Sequence, residues 1–357
     1  MTALVRFRAA RAAAVTPPAL QTWLSDRVLA PVTLLLLMVA AFSAVVRLAG
    51  AVIPMPVQLV PFAVSVLVFG LPHGALDHLV PARLRPGTST IRSVLVVVAL
   101  YLVVGTATAA VWVTAPLLGF AAFIVVTWFH WGQGDLFIDR LLDDGTAGRL
   151  GAALTVAVRG ALPMLVPFIA QASAAAAVVI GTVTSLGGTP AAAAVEVPAA
   201  ARVAGGALVA TLIVLHLLAV RRARVPLWRQ ATEDIVLVIF FAVVPPVLAV
   251  GLYFTLWHSV RHILRLELTD SVAAEQLHHG RLLAPFLRFM RQAWPITAIA
   301  VGMLVVLALA LHRADLGVYL ALIAALTTPH AVIVTWMDRV QRTWHCAPTT
   351  DHEISPT

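Results

Sequence analysis

Runs of about 20 apolar residues, the length that spans a bilayer as a helix, recur along the chain and constrain its fold most. Of its 357 residues, 61% are hydrophobic and 11% charged, against roughly 45–50% apolar and about 25% charged in soluble domains. In lipid each such segment must satisfy its own backbone polar groups, which a helix does. No stretch shows the alternation of a transmembrane barrel. The sequence predicts an all-α, polytopic transmembrane helical bundle.

We predict eight to ten spans and prefer ten. The predicted spans are Val28–Gly50, Val57–Val80, Val94–Ala115, Leu117–Ile138, Leu150–Ala170, Ala172–Leu186, Ala200–Val220, Asp234–His262, Trp294–Leu311 and Leu316–Met337. Ala172–Leu186 is short and rich in alanine, and Pro245-Pro246 could break the eighth span. Residues 1–27 form an Arg-rich cytoplasmic segment, 28–337 a single transmembrane catalytic domain, and 338–357 a polar C-terminal tail in this prediction.

All 24 basic residues are arginine. Because a retinal Schiff base requires lysine, the chain is not a retinal-binding rhodopsin. The net charge of +8 would suggest nucleic acid for a soluble protein, but we interpret these arginines as signals that orient the spans. We predict a multi-pass protein of the cell membrane with a cytoplasmic N-terminus and no nucleic-acid partner. The ten-span count places the cluster ending at Arg229 outside, against that rule.

Histidines are the candidate functional groups. The single cysteine, Cys346, cannot form a Cys-based metal site, so a metal would be held by His and carboxylates. Ionisable groups inside membrane segments are costly and functional by default. Four sequence blocks each place a histidine toward the C-terminal end of a predicted span: His73, His130, His258 and His330.

Spacing separates these histidines into different roles. His258 and His262 would project from one helix face about 40° apart, where two imidazoles can chelate one ion, with simple helix-surface pairing as the alternative. His73 and His78 diverge by about 140° on a regular helix, so we do not expect them to share an ion. Asp77 lies four residues after His73 and is expected to orient its imidazole.

For two of these histidines, a purely structural role explains the sequence about as well as metal binding does. His130 could mark a helix end in an aromatic belt, and His330, after Pro329, could hydrogen-bond a neighbouring helix. Neutral imidazoles suit Fe, Zn, Cu or Ni, and an all-His set with open positions suits ferrous iron that binds dioxygen. Residue chemistry alone leaves the metal open.

The four blocks resemble the Brp/Blh family of bacterial and archaeal membrane proteins, the beta-carotene 15,15′-dioxygenases. The matching motifs are Pro72-His-Gly-Ala-Leu-Asp-His78, Phe129-His-Trp-Gly-Gln-Gly-Asp135, Trp257-His-Ser-Val-Arg-His262 and Pro329-His330. They occur in the family's order and span most of the chain.

This resemblance implies an Fe(II)-dependent enzyme that adds dioxygen across the central double bond of beta-carotene and releases two all-trans-retinal. Its four iron ligands would be His73, His130, His258 and His262. We expect Asp77, His78, Asp135 and His330 to support the ligands without binding iron. The implied partners are beta-carotene, dioxygen and the lipid bilayer, with a functional link to a retinal-binding rhodopsin.

Two other classes remain open at this stage. A transporter or channel could use intramembrane His and Asp as a proton or metal-ion relay, but it would need a polar pathway across the bilayer. A di-iron desaturase or hydroxylase usually carries HxxHH patterns, and the adjacent pair His278-His279 has no third histidine three residues before it.

Overall fold

The computed structural model describes residues 18–143, 148–189, 197–311 and 316–345. All regular structure within these ranges is helical, which confirms the predicted fold class. Nine of the described helices are long and apolar enough to cross a membrane. The chain is therefore a multi-pass helical membrane protein.

Short π-helical and 3₁₀ stretches are counted here with the helix that they continue. In chain order the helices are α1 Pro18–Leu48, α2 Met55–Leu84, α3 Thr90–Thr114, α4 Pro116–Leu142, α5 Gly148–Ala170, α6 Ala172–Ser185, α7 Ala199–Arg222, α8 Leu227–Val243, α9 Pro246–Glu267, α10 Ser271–His278, α11 Leu283–Leu311 and α12 Leu316–Val340. Helix α1 begins before Val28, its predicted start, and α12 extends past Met337. Cys346 lies outside the described residues.

Burial separates central helices from helices at the lipid surface. In the most apolar stretch of α9, 72% of residues are buried, and 67% in α5, against 11% in α3 and 17% in α7. Helices α4 and α12 lie between these extremes. The helices that carry most of the candidate histidines are thus interior ones.

The predicted span Ala172–Leu186 is wrong. Helix α6 has 14 residues, about 21 Å at 1.5 Å per residue, against a hydrocarbon core of about 30 Å. Its start is fixed by Gln171, whose amide donates to the Val244 carbonyl at 2.7 Å, just before α9 begins. Its end packs against Gly317 at the start of α12. Both ends of α6 therefore lie at one end of the bundle.

The predicted single span Asp234–His262 is also wrong, because two prolines divide it. Neither Pro245 nor Pro246 has an N–H for a helical hydrogen bond, and Val244 before them is extended, with ψ 134°. The 17-residue α8 ends there and α9 begins. Neither α6 nor α8 is among the nine described helices that are long and apolar enough to cross a membrane.

The arginine-rich connections gather at one end of the bundle. Arg229, before α8, forms ion pairs with Asp139 and Asp143 at the end of α4. Arg140 donates to the carbonyl of Thr343, after α12, at 3.3 Å. The prediction that the cluster ending at Arg229 lies on the opposite side from the end of α4 is therefore wrong, because it counted the short helix α6 as a span.

Helices α4 and α5 pack at unusually close range. A Cβ at Gly132 would lie 2.2 Å from the Val156 carbonyl oxygen, and a Cβ at Gly160 would lie 1.9 Å from that of Trp128. The Trp128 indole N–H donates across the contact to Ala157 at 2.8 Å. Glycine at these two positions lets the backbones touch, and this places the His130 segment deep inside the bundle.

Candidate metal centre

Five buried histidines from four helices meet inside the bundle. They are His73 on α2, His130 on α4, His258 and His262 on α9, and His330 on α12. Each lies nearer the middle of its helix than the predicted spans indicated, because α2, α4, α9 and α12 all continue beyond the apolar runs. The cluster is therefore at one depth within the bundle.

The imidazole rings lie within a few ångströms of one another. His130 and His258 approach most closely, with 3.1 Å between their Nε2 atoms. The ring centroid of His73 is 5.6 Å from His258, 5.3 Å from His262 and 4.9 Å from His330. Single ligand atoms of His73, His130 and His330 fall within 4.8 Å of one another. These distances are close to the separations between ligand groups that bind a single metal ion.

Helix α9 presents two of these rings through an irregular backbone. The segment Tyr253–Ser259 is π-helical, so His258 and His262 are not the regular-helix pair that their spacing predicts. Their rings are nearly parallel, 6.4 Å apart between centroids. A π-helical stretch inside an α-helix is common at functional sites. Opposite, a Cβ on Gly134 would lie 3.3 Å from His258 Nδ1, so the α4 backbone approaches the ring closely.

Several buried imidazole nitrogens have no hydrogen-bond partner among the described residues. They are His130 Nδ1, both ring nitrogens of His262 and His330 Nε2. A buried polar atom without a partner costs about 1–3 kcal/mol. Nitrogen lone pairs facing one another are stabilised when they bind a cation, so this donor set fits a metal ion held by neutral imidazoles.

Asp77 contacts a different histidine from the one that spacing predicted. Its Oδ2 accepts hydrogen bonds from His330 Nδ1 at 2.8 Å and from the Tyr101 hydroxyl at 2.7 Å. His73 instead donates from Nδ1 to the Phe69 carbonyl at 3.3 Å. The regular helix ends at Ala75 and a 3₁₀ turn begins at Asp77. The turn points the carboxylate away from His73, so the predicted pairing is wrong.

The other two residues that we predicted to support the ligands, His78 and Asp135, lie apart from the imidazole rings. His78 Nδ1 bonds to the Ala75 carbonyl at 2.8 Å, and no described contact joins its ring to the cluster. Asp135 accepts from the Trp257 indole at 2.8 Å and forms an ion pair with Arg261 at 2.9 Å. Asp135 therefore braces α9 on both sides of His258.

A buried ionic network continues from this brace and was missed in the sequence. Arg261 also contacts Glu233 at 3.4 Å, and Glu233 pairs with Arg159 at 3.0 Å. Arg159 pairs in addition with Asp234 at 3.3 Å. The interpretation of the arginines as orientation signals is wrong for Arg159 and Arg261, which are buried. An arginine within an apolar run, as at Arg159, was the available signal.

A second buried polar group joins α4, α9 and α12 beyond the cluster. Arg265 pairs with Asp338 at 2.7 Å, and the Gln133 amide donates to the same carboxylate at 2.8 Å. The Trp344 indole donates to it at 3.1 Å. Asp338 was predicted to begin a polar tail, whereas it is buried and holds three segments together.

An apolar cavity reaches the histidine cluster from within the bundle. Its empty volume is ≈1540 Å³, including its open part. His73, His130 and His330 line it, together with Tyr101, Thr127 and Thr327. Most other lining side chains are apolar, including Phe62, Phe120, Phe168 and Phe254. The cavity suits a large apolar molecule whose reacting part lies beside three imidazoles.

Sequence comparison now identifies the family. A family profile described as "Beta-carotene 15,15'-dioxygenase" matches residues 64–338, which contain all five clustered histidines. The chain belongs to the beta-carotene 15,15′-dioxygenase family. The resemblance predicted from the four histidine blocks is confirmed, and the chain is a member of an enzyme family.

Two curated relatives come from Halobacterium salinarum. One, named "Probable beta-carotene 15,15'-dioxygenase Blh", is 42% identical over 291 residues, covering 79% of this chain and 84% of the relative. Another, named "Probable beta-carotene 15,15'-dioxygenase Brp", is 30% identical over 342 residues, covering 87% of this chain and 92% of the relative. No solved structure matches the chain.

Proposed function

We propose that this protein cleaves beta-carotene oxidatively at its central 15,15′ double bond, with dioxygen as co-substrate, giving two molecules of all-trans-retinal. The observation that carries this proposal is the cluster of buried imidazoles on the wall of an apolar cavity inside a membrane bundle. The substrate and the bond are those in the names of the two Halobacterium salinarum relatives.

The cavity supports a hydrocarbon substrate. A polyene without polar groups dissolves in the bilayer and is held by shape and apolar contact, which the phenylalanine-rich lining provides. A ferrous ion held by His73, His130, His258 and His262 would supply dioxygen activation at this wall. The protein itself positions the substrate, because the cavity holds the polyene beside the ligands and keeps water away.

The lining disfavours the transporter alternative. A proton or metal-ion relay would need polar groups along a path across the bilayer. Beyond the histidine wall the described lining is mainly apolar, and the buried ionic network around Arg159 and Glu233 is not among the lining residues.

We further propose that the N-terminus faces the cytoplasm in the cell membrane. The connections at the end of the bundle that holds Arg83, Arg140 and Arg229 are rich in arginine, as cytoplasmic loops are.

The product would leave into the same bilayer, so a retinal-binding rhodopsin in that membrane is a suitable acceptor.

Two substitutions on α9 and a control just after α10 test the proposal. His258→Ala and His262→Ala should each abolish retinal formation in a beta-carotene-accumulating bacterial host, since each removes an imidazole from the cluster. His279→Ala, at an exposed position just after α10, is the control and should stay active. Retinal is measured by chromatography and membrane insertion by the amount of protein in the membrane fraction.

Equal loss in all three variants would overturn the assignment of the site. Wild-type cells that keep their beta-carotene while the protein is inserted and loaded with iron would overturn the proposed reaction.

A further inference from the structure

His330 stands apart from the four ligands that the family resemblance implies. It lies in the interior part of α12, 3% exposed, and with His73 and His130 it faces the cavity, whereas His258 and His262 are not among the lining residues. We expect a histidine that binds the ion next to the substrate to line the cavity, as His330 does.

The hydrogen bonds of His330 determine which ring nitrogen is free. Asp77 Oδ2 accepts from Nδ1 at 2.8 Å, and it also accepts from the Tyr101 hydroxyl at 2.7 Å. Since an ionised carboxylate accepts only, Nδ1 carries the hydrogen. Nε2 then holds a lone pair, and it is buried without a partner among the residues that the structure describes.

This arrangement is the one that orients a metal-binding histidine. A ligating imidazole usually donates its other N–H to a carboxylate or carbonyl, which sets the tautomer and raises ligand basicity. His73 has a carbonyl in this role and His330 a carboxylate. His262 has no partner on either nitrogen in the described part of the chain.

The positions of the rings agree with this chemistry. His330 lies 4.9 Å from His73, 4.8 Å from His130 and 4.9 Å from His262 between ring centroids. It is thus close to three of the rings in the cluster.

We propose that His330 binds the metal directly through Nε2, and that Asp77, held by Tyr101, is the positioning residue that aims it. This inference rests on the proposed metal site and adds a ligand to it. It also changes the role of Asp77, which acts on α12 rather than on its own helix.

Cobalt(II) binding to the purified, metal-free full chain in detergent tests the inference without any turnover. His330→Ala should weaken cobalt binding by more than 100-fold and shift the ligand-field absorption, because one nitrogen is lost. Asp77→Asn should weaken it about 10- to 100-fold, the usual effect of removing a partner behind a ligand. Tyr101→Phe should have a smaller effect in the same direction, and His279→Ala none.

Added imidazole separates a ligand from a structural role. In His330→Ala it should restore cobalt binding and the wild-type spectrum, by occupying the vacated position; it should do nothing for Asp77→Asn. Wild-type affinity and spectrum in His330→Ala would overturn the inference, as would a loss that imidazole does not rescue. Unchanged binding in Asp77→Asn would overturn the positioning role. If the wild-type protein binds neither cobalt nor iron, the proposed metal site itself is wrong.

Discussion

Replacing Gly160 with alanine should damage the proposed metal site from a distance. The added Cβ would lie 1.9 Å from the Trp128 carbonyl oxygen and 2.4 Å from Trp128 Cδ1, and real Cβ atoms essentially never come within 3.0 Å of such atoms. The first neighbour is backbone, so a side-chain rotation cannot relieve the clash. Helices α4 and α5 must separate by roughly 1 Å, as an overpacked contact forces backbone shifts.

That displacement is large compared with what coordination tolerates. His130 follows Trp128 by one turn or less on α4, and metal–ligand distances must hold within about 0.2 Å. We expect overpacking to lower the free energy of unfolding by about 1–3 kcal/mol. We also expect cobalt affinity to fall together with retinal formation.

A matched alanine variant gives the control. A Cβ on Gly181, in α6, meets nothing within 4 Å, so Gly181→Ala should keep wild-type stability and metal binding. The assay combines thermal unfolding in detergent with cobalt titration of the same samples. If Gly160→Ala matched Gly181→Ala in both, the close packing of α4 on α5 and its link to His130 would be refuted.

Two further substitutions probe the charged groups around the site. Arg261→Gln leaves Asp135 buried without its cation, which should lower stability by about 3–5 kcal/mol in thermal unfolding, against no change for exposed Arg291→Gln; equal effects would contradict the brace. Outside the spans, burial acts to raise the pKa of Asp270, but a backbone N–H of α10 and Arg288 hold that pKa below its usual value. Its stabilisation should therefore be present above about pH 3.9, the unfolded pKa, and be lost as pH falls through the folded pKa. Asp270→Asn should flatten the acid dependence of melting in the metal-free protein, and an unchanged dependence would contradict this role.

Local features of the sequence were sufficient where the chemistry is local. The apolar runs predicted a helical membrane bundle, and the motifs around His73, His130, His258 and His262 predicted the family. The glycines beside His130 also indicated close backbone approach, and Gly132 and Gly134 both show it. These signals depend on composition and short spacing, which a single sequence carries.

Contacts between distant segments could not be predicted from local features of the sequence. Asp77 and His330 are separated by 253 positions, and their contact depends on the turn that ends the helix at Ala75. The pairing of Arg159 with Glu233 joins two helices whose neighbour relation no local pattern encodes. The prediction of a single span over Asp234–His262 failed for a related reason, since Pro245 and Pro246 divide this stretch into two helices.

Product stoichiometry tests most directly whether this chain holds one metal site that cleaves beta-carotene symmetrically, as we propose. Purified protein loaded with ferrous iron is given beta-carotene in detergent micelles under air, and substrate loss and retinal are both quantified by chromatography. Symmetric cleavage predicts two retinal per beta-carotene consumed, with activity lost on iron removal. One short and one long aldehyde in place of two retinal, or full activity without iron, would contradict it.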